Sequence, residues 1–302
     1  MDWIEEAGEA RSYRAATKIP TVLEYESYGT PRSGKVRSWG FQAAQNSESL
    51  VGRENLKVVE WFKPYLNANY LNAACQSSAS FFPKSDAEVR RWYIDYLQQL
   101  YPKVQAEIVG KLKNRPWDTL HIEFRFTWPT TWASADIESF RSCISRAGYG
   151  SGGKRHRVNL MLSEAQAAAL DVAGRKLKDI KDGDTVMVCD VGGGTTDIAV
   201  VKASTDIDGR IRFDLDRSYA GSAVGTTDID AAFQLFVQRR LSFVPLLHLD
   251  KIAVARHMRE SRDWSQIKHG LDESQSYSIA VPGAVPDNDD AGITHRFMTI
   301  TE

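Results

Sequence analysis

Two carboxylates flank three consecutive glycines and two threonines in the segment Asp190-Val191-Gly192-Gly193-Gly194-Thr195-Thr196-Asp197. An apolar run, Val186 to Cys189, leads into it and a second, Ile198 to Val201, leads out. Apolar run, glycine turn, apolar run is the pattern of a β-hairpin. Glycine reaches backbone angles closed to other residues and lets an outside group approach bare amides. Consecutive N–H groups in such a turn make an anion nest that suits phosphate. Asp190 and Asp197 repel phosphate themselves, but they suit a hydrated Mg²⁺, a hard cation that keeps waters and bridges to phosphate oxygens. Thr195 and Thr196 add hydroxyls at the same tip. A tight hairpin with acidic ends is the plainer reading, yet such a turn needs one or two glycines rather than three between two carboxylates. The segment is neither a P-loop, which requires Lys-Ser/Thr opening a helix, nor the dinucleotide GxGxxG.

The elements that must position this hairpin are legible along the chain. Lys18 to Tyr25 reads as a strand started by Pro20, with a turn-rich stretch Tyr28 to Gly34 and a hairpin partner Val36 to Phe41. Val58 to Leu66 is a short aromatic segment carrying Lys63 beside Trp61 and Phe62. Val89, Trp92, Tyr93, Tyr96, Leu97 and Leu100 fall on one face of a helix that Asp86 can cap and Pro102 is expected to stop. This stripe is core packing. Thr119 to Trp128 alternates as a strand ending at Pro129, residues 134–147 are helical, and Gly148 stops them. A flexible basic loop, Gly150 to Arg157, precedes a strand Val158 to Leu162 and an alanine-rich helix capped by Ser163, with Glu164 in its first turn. Beyond the hairpin come a strand Ile211 to Leu215, the segment Tyr219-Ala-Gly221-Ser-Ala-Val-Gly225-Thr-Thr, a helix from about Asp228 to Leu241, a broken helix Ile252 to Leu271, and strands at Ser278 to Val281 and His295 to Ile300.

The totals narrow the function classes. The 302 residues carry 38 Lys plus Arg against 39 Asp plus Glu, so no charge excess favours nucleic acid or an anionic membrane. The three cysteines, Cys75, Cys143 and Cys189, form no CxxC pair and read as reduced thiols of a cytoplasmic protein. The histidines form no HxH or HExxH cluster, which argues against zinc. No secretory signal or membrane-spanning apolar run is visible. A chain this long buries about three quarters of its unfolded surface, enough for one large or two small domains.

The hairpin segment resembles the second phosphate motif of the actin-like ATPase superfamily, and the chain is most similar to the heat-shock protein 70 chaperones. The resemblance runs from about residue 18 to the end. It implies an α/β fold of two lobes, actin-like and ribonuclease-H-like, with the first lobe at 1–182, an inserted subdomain at about 26–117, and part of a second lobe at 183–302. Pro20-Thr21 with Tyr25, and Trp39-Gly40, match the strand pair that opens the family's first lobe. The resemblance implies ATP or ADP and Mg²⁺ as ligands. Asp190 and Asp197 would hold the metal through water, and Gly192, Gly193, Gly194, Thr195, Thr196 and Gly225 would hold the phosphates. Glu164, with Ala165 where relatives carry proline, matches the glutamate that orders metal and attacking water; an acidic residue at a helix N-terminus fits it equally. Asp190 and Thr195 belong to the implied catalytic set. Lys63 is the match for a catalytic lysine, or else a surface lysine beside a core aromatic pair. Lys268, with Arg262, matches the basic residues that sandwich adenine, or else lies on a solvated helix face. Thr226 stands where the family carries a second glycine.

The departures are as telling. No Asp-x-Gly-Thr-Thr hairpin precedes residue 17, and no second adenosine loop follows the last strand, so the fold is expected to be incomplete at both ends. Phosphoryl transfer rests on positioning and charge neutralisation. The intact central motif makes the first expectation a Mg²⁺-dependent ATPase domain of chaperone type, with nucleotide and client or co-chaperone proteins as partners; the missing first hairpin, whose loss should cost far more catalysis than that of one side chain, favours the alternative. The alternative is a degenerate family member that acts as a protein-interaction module without hydrolysis. A sugar or acetate kinase of the same superfamily is the third.

Overall fold

The computed structural model describes residues 3–4, 15–16, 19–26, 34–47, 56–76, 82–175, 180–209, 211–222, 225–245, 250–272 and 274–300. They fall into two compact units, one from Met1–Glu60 with Thr227–Glu302, the other from Trp61–Thr226. The expected turn-rich stretch at 28–33 lies outside the described residues, as does most of 1–18.

In the first unit β1 (Trp3–Ile4) pairs antiparallel with β2 (Ala15–Ala16). Next, β3 (Val22–Glu26) is the centre of an antiparallel sheet, with β4 (Val36–Trp39) on one side. A helix, α1 (Gly40–Ser47), follows, and β5 (Leu56–Glu60) returns along the other side of β3. The strand expected to run to Phe41 stops at Trp39. Gly40 makes this possible: its φ is +57°, and a Cβ there would lie 2.9 Å from the Ile19 side chain, so only glycine converts strand to helix at this point. Glu24 is buried on β3 and is satisfied by the Ser38 hydroxyl at 2.5 Å and the Asn46 amide at 2.9 Å.

The second unit opens with a 3-10 turn at Lys63–Leu66 and α2 (Ala68–Cys75), whose first amides donate to the Asn67 side chain. The long α3 (Asp86–Lys111) is capped by Ser85 rather than Asp86. It also runs through Pro102, where a stop was expected. Proline there removes one N–H from the ladder. The helix is anchored at the proline itself: the preceding Tyr101 packs edge-on against Trp117 and Tyr149 and tilted against Phe124. Its other face meets Phe62, which is ringed by Trp92, Tyr93 and Tyr96.

A parallel pair follows. β6 (Ile122–Trp128) crosses over through α4 (Ser134–Arg146) to β7 (His156–Ser163). Gly148 ends α4 with a φ of +98°. At the end of β7, α5 (Glu164–Arg175) begins in a capping box: the Gln166 amide donates to the Ser163 hydroxyl, and the Ser163 amide donates to the Gln166 side chain. Then β8 (Thr185–Val191), β9 (Thr196–Thr205) and β10 (Ile211–Ser222) form an antiparallel sheet in the order β10-β9-β8. Ala169 of α5 seals one face of it against Val201, Ala203 and Phe213. That face is set by the period-2 alternation of β9.

Back in the first unit, α6 (Thr226–Leu241), α7 (Lys251–Arg259) and α8 (Arg262–His269) pack with β11 (Tyr277–Ala280), β12 (Ile293–Thr294) and β13 (Phe297–Ile300). The expected break in the second helical segment falls at Glu260–Ser261, where Ser261 caps α8. The core is built on Val237, Leu241, Met258, Ile279 and Met298, with Phe233 stacked on Trp264 at 3.8 Å. No helix among the described residues is long and apolar enough to cross a membrane.

One ion network ties β5 to the helices of this unit. Arg259 grips Glu60 with both terminal nitrogens, at 2.8 and 2.9 Å, and reaches Gln234 at 2.7 Å; Arg256 adds a contact at 3.4 Å. Burial alone would raise the Glu60 carboxyl, but the Arg259 and Arg256 guanidinium groups outweigh it and hold it below its ordinary value. Removing one partner of such a pair leaves the other charge buried. Glu60→Ala is therefore expected to cost about 3 kcal/mol in urea denaturation at neutral pH. The carboxyl titrates lower folded than unfolded, so its contribution is present above the ordinary glutamate range and is lost as the pH falls through the folded value. The variant's acid unfolding should lack that component, and identical acid profiles for the two proteins would refute the assignment.

Candidate phosphate and cation site at the glycine hairpin

β8 and β9 pair without a register break, which sets Asp190 directly opposite Asp197 and Val191 opposite Thr196. The four residues between them close tightly, the Gly192 amide donating to the Thr195 carbonyl at 2.9 Å. Residues opposite one another in a ladder share a face, so both carboxylates point the same way. Asp197 is 2% exposed. One of its oxygens accepts from the Thr195 hydroxyl at 2.7 Å, and the other, Oδ1, is buried with no partner among the described residues. Like charges opposite one another are destabilising. A buried, unpartnered carboxylate oxygen beside a second carboxylate is the arrangement a divalent cation completes. No cluster of three or more His, Cys, Asp or Glu side chains able to hold a metal occurs among the described residues, so a cation here would keep waters or take oxygens from a ligand. That fits Mg²⁺ better than a metal needing a full protein cage.

The tip is boxed in by backbone. A Cβ at Gly225 would collide with the Gly193 carbonyl and lie 2.8 Å from the Gly194 nitrogen. A Cβ at Gly194 would lie 2.7 Å from Pro64. The Thr226 amide donates to the Gly192 carbonyl at 3.2 Å. The first amide of α6 is thus spent on the hairpin itself, where the sequence suggested a free anion-binding end. Gly225 holds the tip in place.

Pro64 brings its neighbour with it. Lys63 Nζ lies 2.6 Å from Glu164 Oε1, so the two residues matched independently to catalytic positions form an ion pair. Tyr93 donates its hydroxyl to the Lys63 carbonyl at 2.7 Å, fixing the 3-10 turn. Burial, followed by the nearby Cys143 and Glu164, holds the Tyr93 phenol well above its ordinary value, so it stays a donor. On the other side of the turn Asn67 donates to Asp136 at 2.7 Å, and Asp136 also accepts the Ala133 amide at 3.0 Å, capping α4. Tyr70, on α2, has its phenol raised by burial and then by the charge of Asp197.

Lys63, Glu164, the Asp190–Asp197 hairpin and Gly225 all lie in the unit Trp61–Thr226. Lys268 belongs to the other unit, where its ammonium binds both oxygens of Asp230 at 2.9 and 3.0 Å while Trp264 donates to the same carboxylate. Arg262 is exposed. Pro64, Asn67, Tyr70, Asp136 and Gln166 went unnoticed in the sequence. Only Gln166 had a local signal there, the spacing of a capping box after Ser163.

No family model matches the chain. It is 29% identical over 206 residues to the chaperone protein DnaK of Psychrobacter cryohalolentis, an alignment that takes in 66% of this chain and 29% of that protein. The chain thus spans less than a third of the length of that relative.

The packing around the tip separates two kinds of glycine. Gly225→Ala should destabilise by about 2 kcal/mol, because the methyl meets backbone that has no room to yield. Gly110→Ala, inside α3 with nothing within 4 Å of the new methyl, should stabilise by about 0.5–1 kcal/mol. Urea denaturation of both variants checks this, and a neutral Gly225→Ala would show that the tip is not held from this side.

Proposed function

We propose that this chain binds ATP with Mg²⁺ at the β8–β9 hairpin and hydrolyses it to ADP and phosphate, as an ATPase domain of heat-shock protein 70 type. The observation that carries the reading is the buried, unpartnered oxygen of Asp197 facing Asp190 across a three-glycine tip. The likeness to a DnaK chaperone and the Lys63–Glu164 pair beside the tip support it.

In this reading the amides of Gly192 to Thr196 cradle the phosphates, and Asp190 and Asp197 hold a hydrated Mg²⁺ that offsets charge on the phosphate oxygens. Thr195 orients Asp197 through its hydroxyl. Glu164 orders the attacking water and takes up its proton, while Lys63 offsets negative charge as it builds on the transferred group. Glu164 and Lys63 hold each other in position for both tasks. The lobe boundary falls at 182/183 in an actin-like, ribonuclease-H-like fold. Client and co-chaperone proteins are the partners, and the compartment is the cytoplasm.

Calorimetry of the full chain with Mg²⁺ and ATP tests this. Binding should be lost in Asp190→Ala and in Gly193→Val. Lys63→Ala should keep binding within a few fold and lower turnover by 100-fold or more, about 2.7 kcal/mol of transition-state stabilisation. Failure of the folded wild type to bind would leave the interaction-module reading in its place.

A further inference from the structure

Strand β8 ends the sheet β10-β9-β8 on one side, and no described strand pairs with its outer edge. The tip shows which backbone groups point there. The Gly192 amide donates to the Thr195 carbonyl, and hydrogen-bonded pairs alternate with non-bonded ones along an antiparallel ladder. With Val191 opposite Thr196 and Asp190 opposite Asp197, the even-numbered residues of β8 therefore bond to β9. The N–H and C=O groups of Thr185, Met187, Cys189 and Val191 point to the open edge.

The same four residues carry their side chains on the sheet face away from α5, opposite Val186 and Val188. Met187 is 70% exposed and Val191 64% exposed, and Cys189 is exposed as well. β9 extends this apolar face with Val200 beside Met187 and Ile198 beside Cys189. Folded proteins blunt such edges with lysine, proline or a bulge. Thr185–Val191 contains no lysine and no proline, and its register with β9 is unbroken. A regular, apolar edge of this kind is a template for one more strand.

The edge is complementary to itself. Two copies of β8 run antiparallel about a two-fold axis, and the sheet faces match when odd-numbered residues oppose odd ones. Centred on Val188, the pairing sets Met187 opposite Cys189 and Thr185 opposite Val191 of the second copy, so every outward N–H and C=O is bonded. Asp190 then lies opposite Val186, and no carboxylate directly faces another. Centred on Met187, the pairing would set Asp190 opposite Asp184, and like charges directly opposite destabilise a ladder. Centred on Cys189, it would set Thr185 opposite Gly193, beyond the end of the strand.

We propose that this chain forms a closed two-fold dimer through β8, centred on Val188, which joins two three-stranded sheets into one continuous sheet. The inference is independent of the ATPase reading. An interface one strand wide is smaller than the standard size, so the dimer is expected to be weak and reversible.

Sedimentation of the full chain over a concentration series tests this, with a shift from monomer to dimer and no larger species expected. Met187→Lys places a charge on the exposed face of the edge, should leave the urea midpoint unchanged, and should weaken the dimer by about 10-fold or more. Crosslinking tests the register. In a Cys75→Ser background, Met187→Cys should give a disulfide-linked dimer with Cys189 of the second copy on oxidation with diamide, because residues opposite in a bonded pair lie about 5.5 Å apart at Cα. Thr185→Cys in the same background should not. A wild type that stays monomeric at every concentration overturns the proposal and leaves the edge to an extended segment of another protein. A dimer unaffected by Met187→Lys, assembly beyond two copies, or crosslinking through Thr185→Cys in place of Met187→Cys overturns it as well.

Discussion

Two carboxylates set opposite one another across a single hairpin constrain everything around them. Their register is fixed by an unbroken antiparallel ladder from Thr185 to Val191, so neither Asp190 nor Asp197 can turn to the other face without a slip that would move Val186 and Val188 out of the core as well. One carboxylate oxygen is answered from within by Thr195, and one is left open. A buried carboxylate oxygen left without a partner opposite a second carboxylate is costly to the fold. The rest of the unit is understood as whatever keeps the hairpin from relaxing that repulsion by splaying.

The glycines show how that is done. Sequence alone suggests that three glycines are there to expose amides. In the fold they are equally a matter of close approach: the tip is pressed from one side by Gly225 and from the other by Pro64, with no space for a Cβ at either contact. The Thr226 amide adds a hydrogen bond to Gly192. A loop clamped this way is held in one backbone geometry.

Much of this was legible before any coordinates. The hairpin, the strand ending at Trp128, the capped helix after Ser163 and the break between α7 and α8 all follow from local rules of periodicity, capping and glycine placement. What escaped were long-range facts. Pro64 has no signal of its own; its importance comes from lying against Gly194, 130 positions away by the numbering. Asp136 looks like an ordinary first-turn acid until Asn67 is found bonded to it. Pro102 misled for the opposite reason, because a local rule was overridden by aromatic packing around Tyr101 that the sequence does not order. Trp39 to Phe41 misled because the glycine between them was read as strand when its backbone turns.

The Lys63–Glu164 pair bears on how the corner handles charge. Lys63 is 54% exposed on its side chain, and the pair sits at the edge of water, where an ion pair contributes little to stability. Its value must then lie in placement. The lysine is carried by a turn locked to Tyr93, and the glutamate by the first residue of a helix locked by the Ser163–Gln166 box. Neither anchor involves the other, yet the two charged ends meet. Two independently braced side chains converge beside a braced glycine tip, a geometry that folding stability alone does not demand.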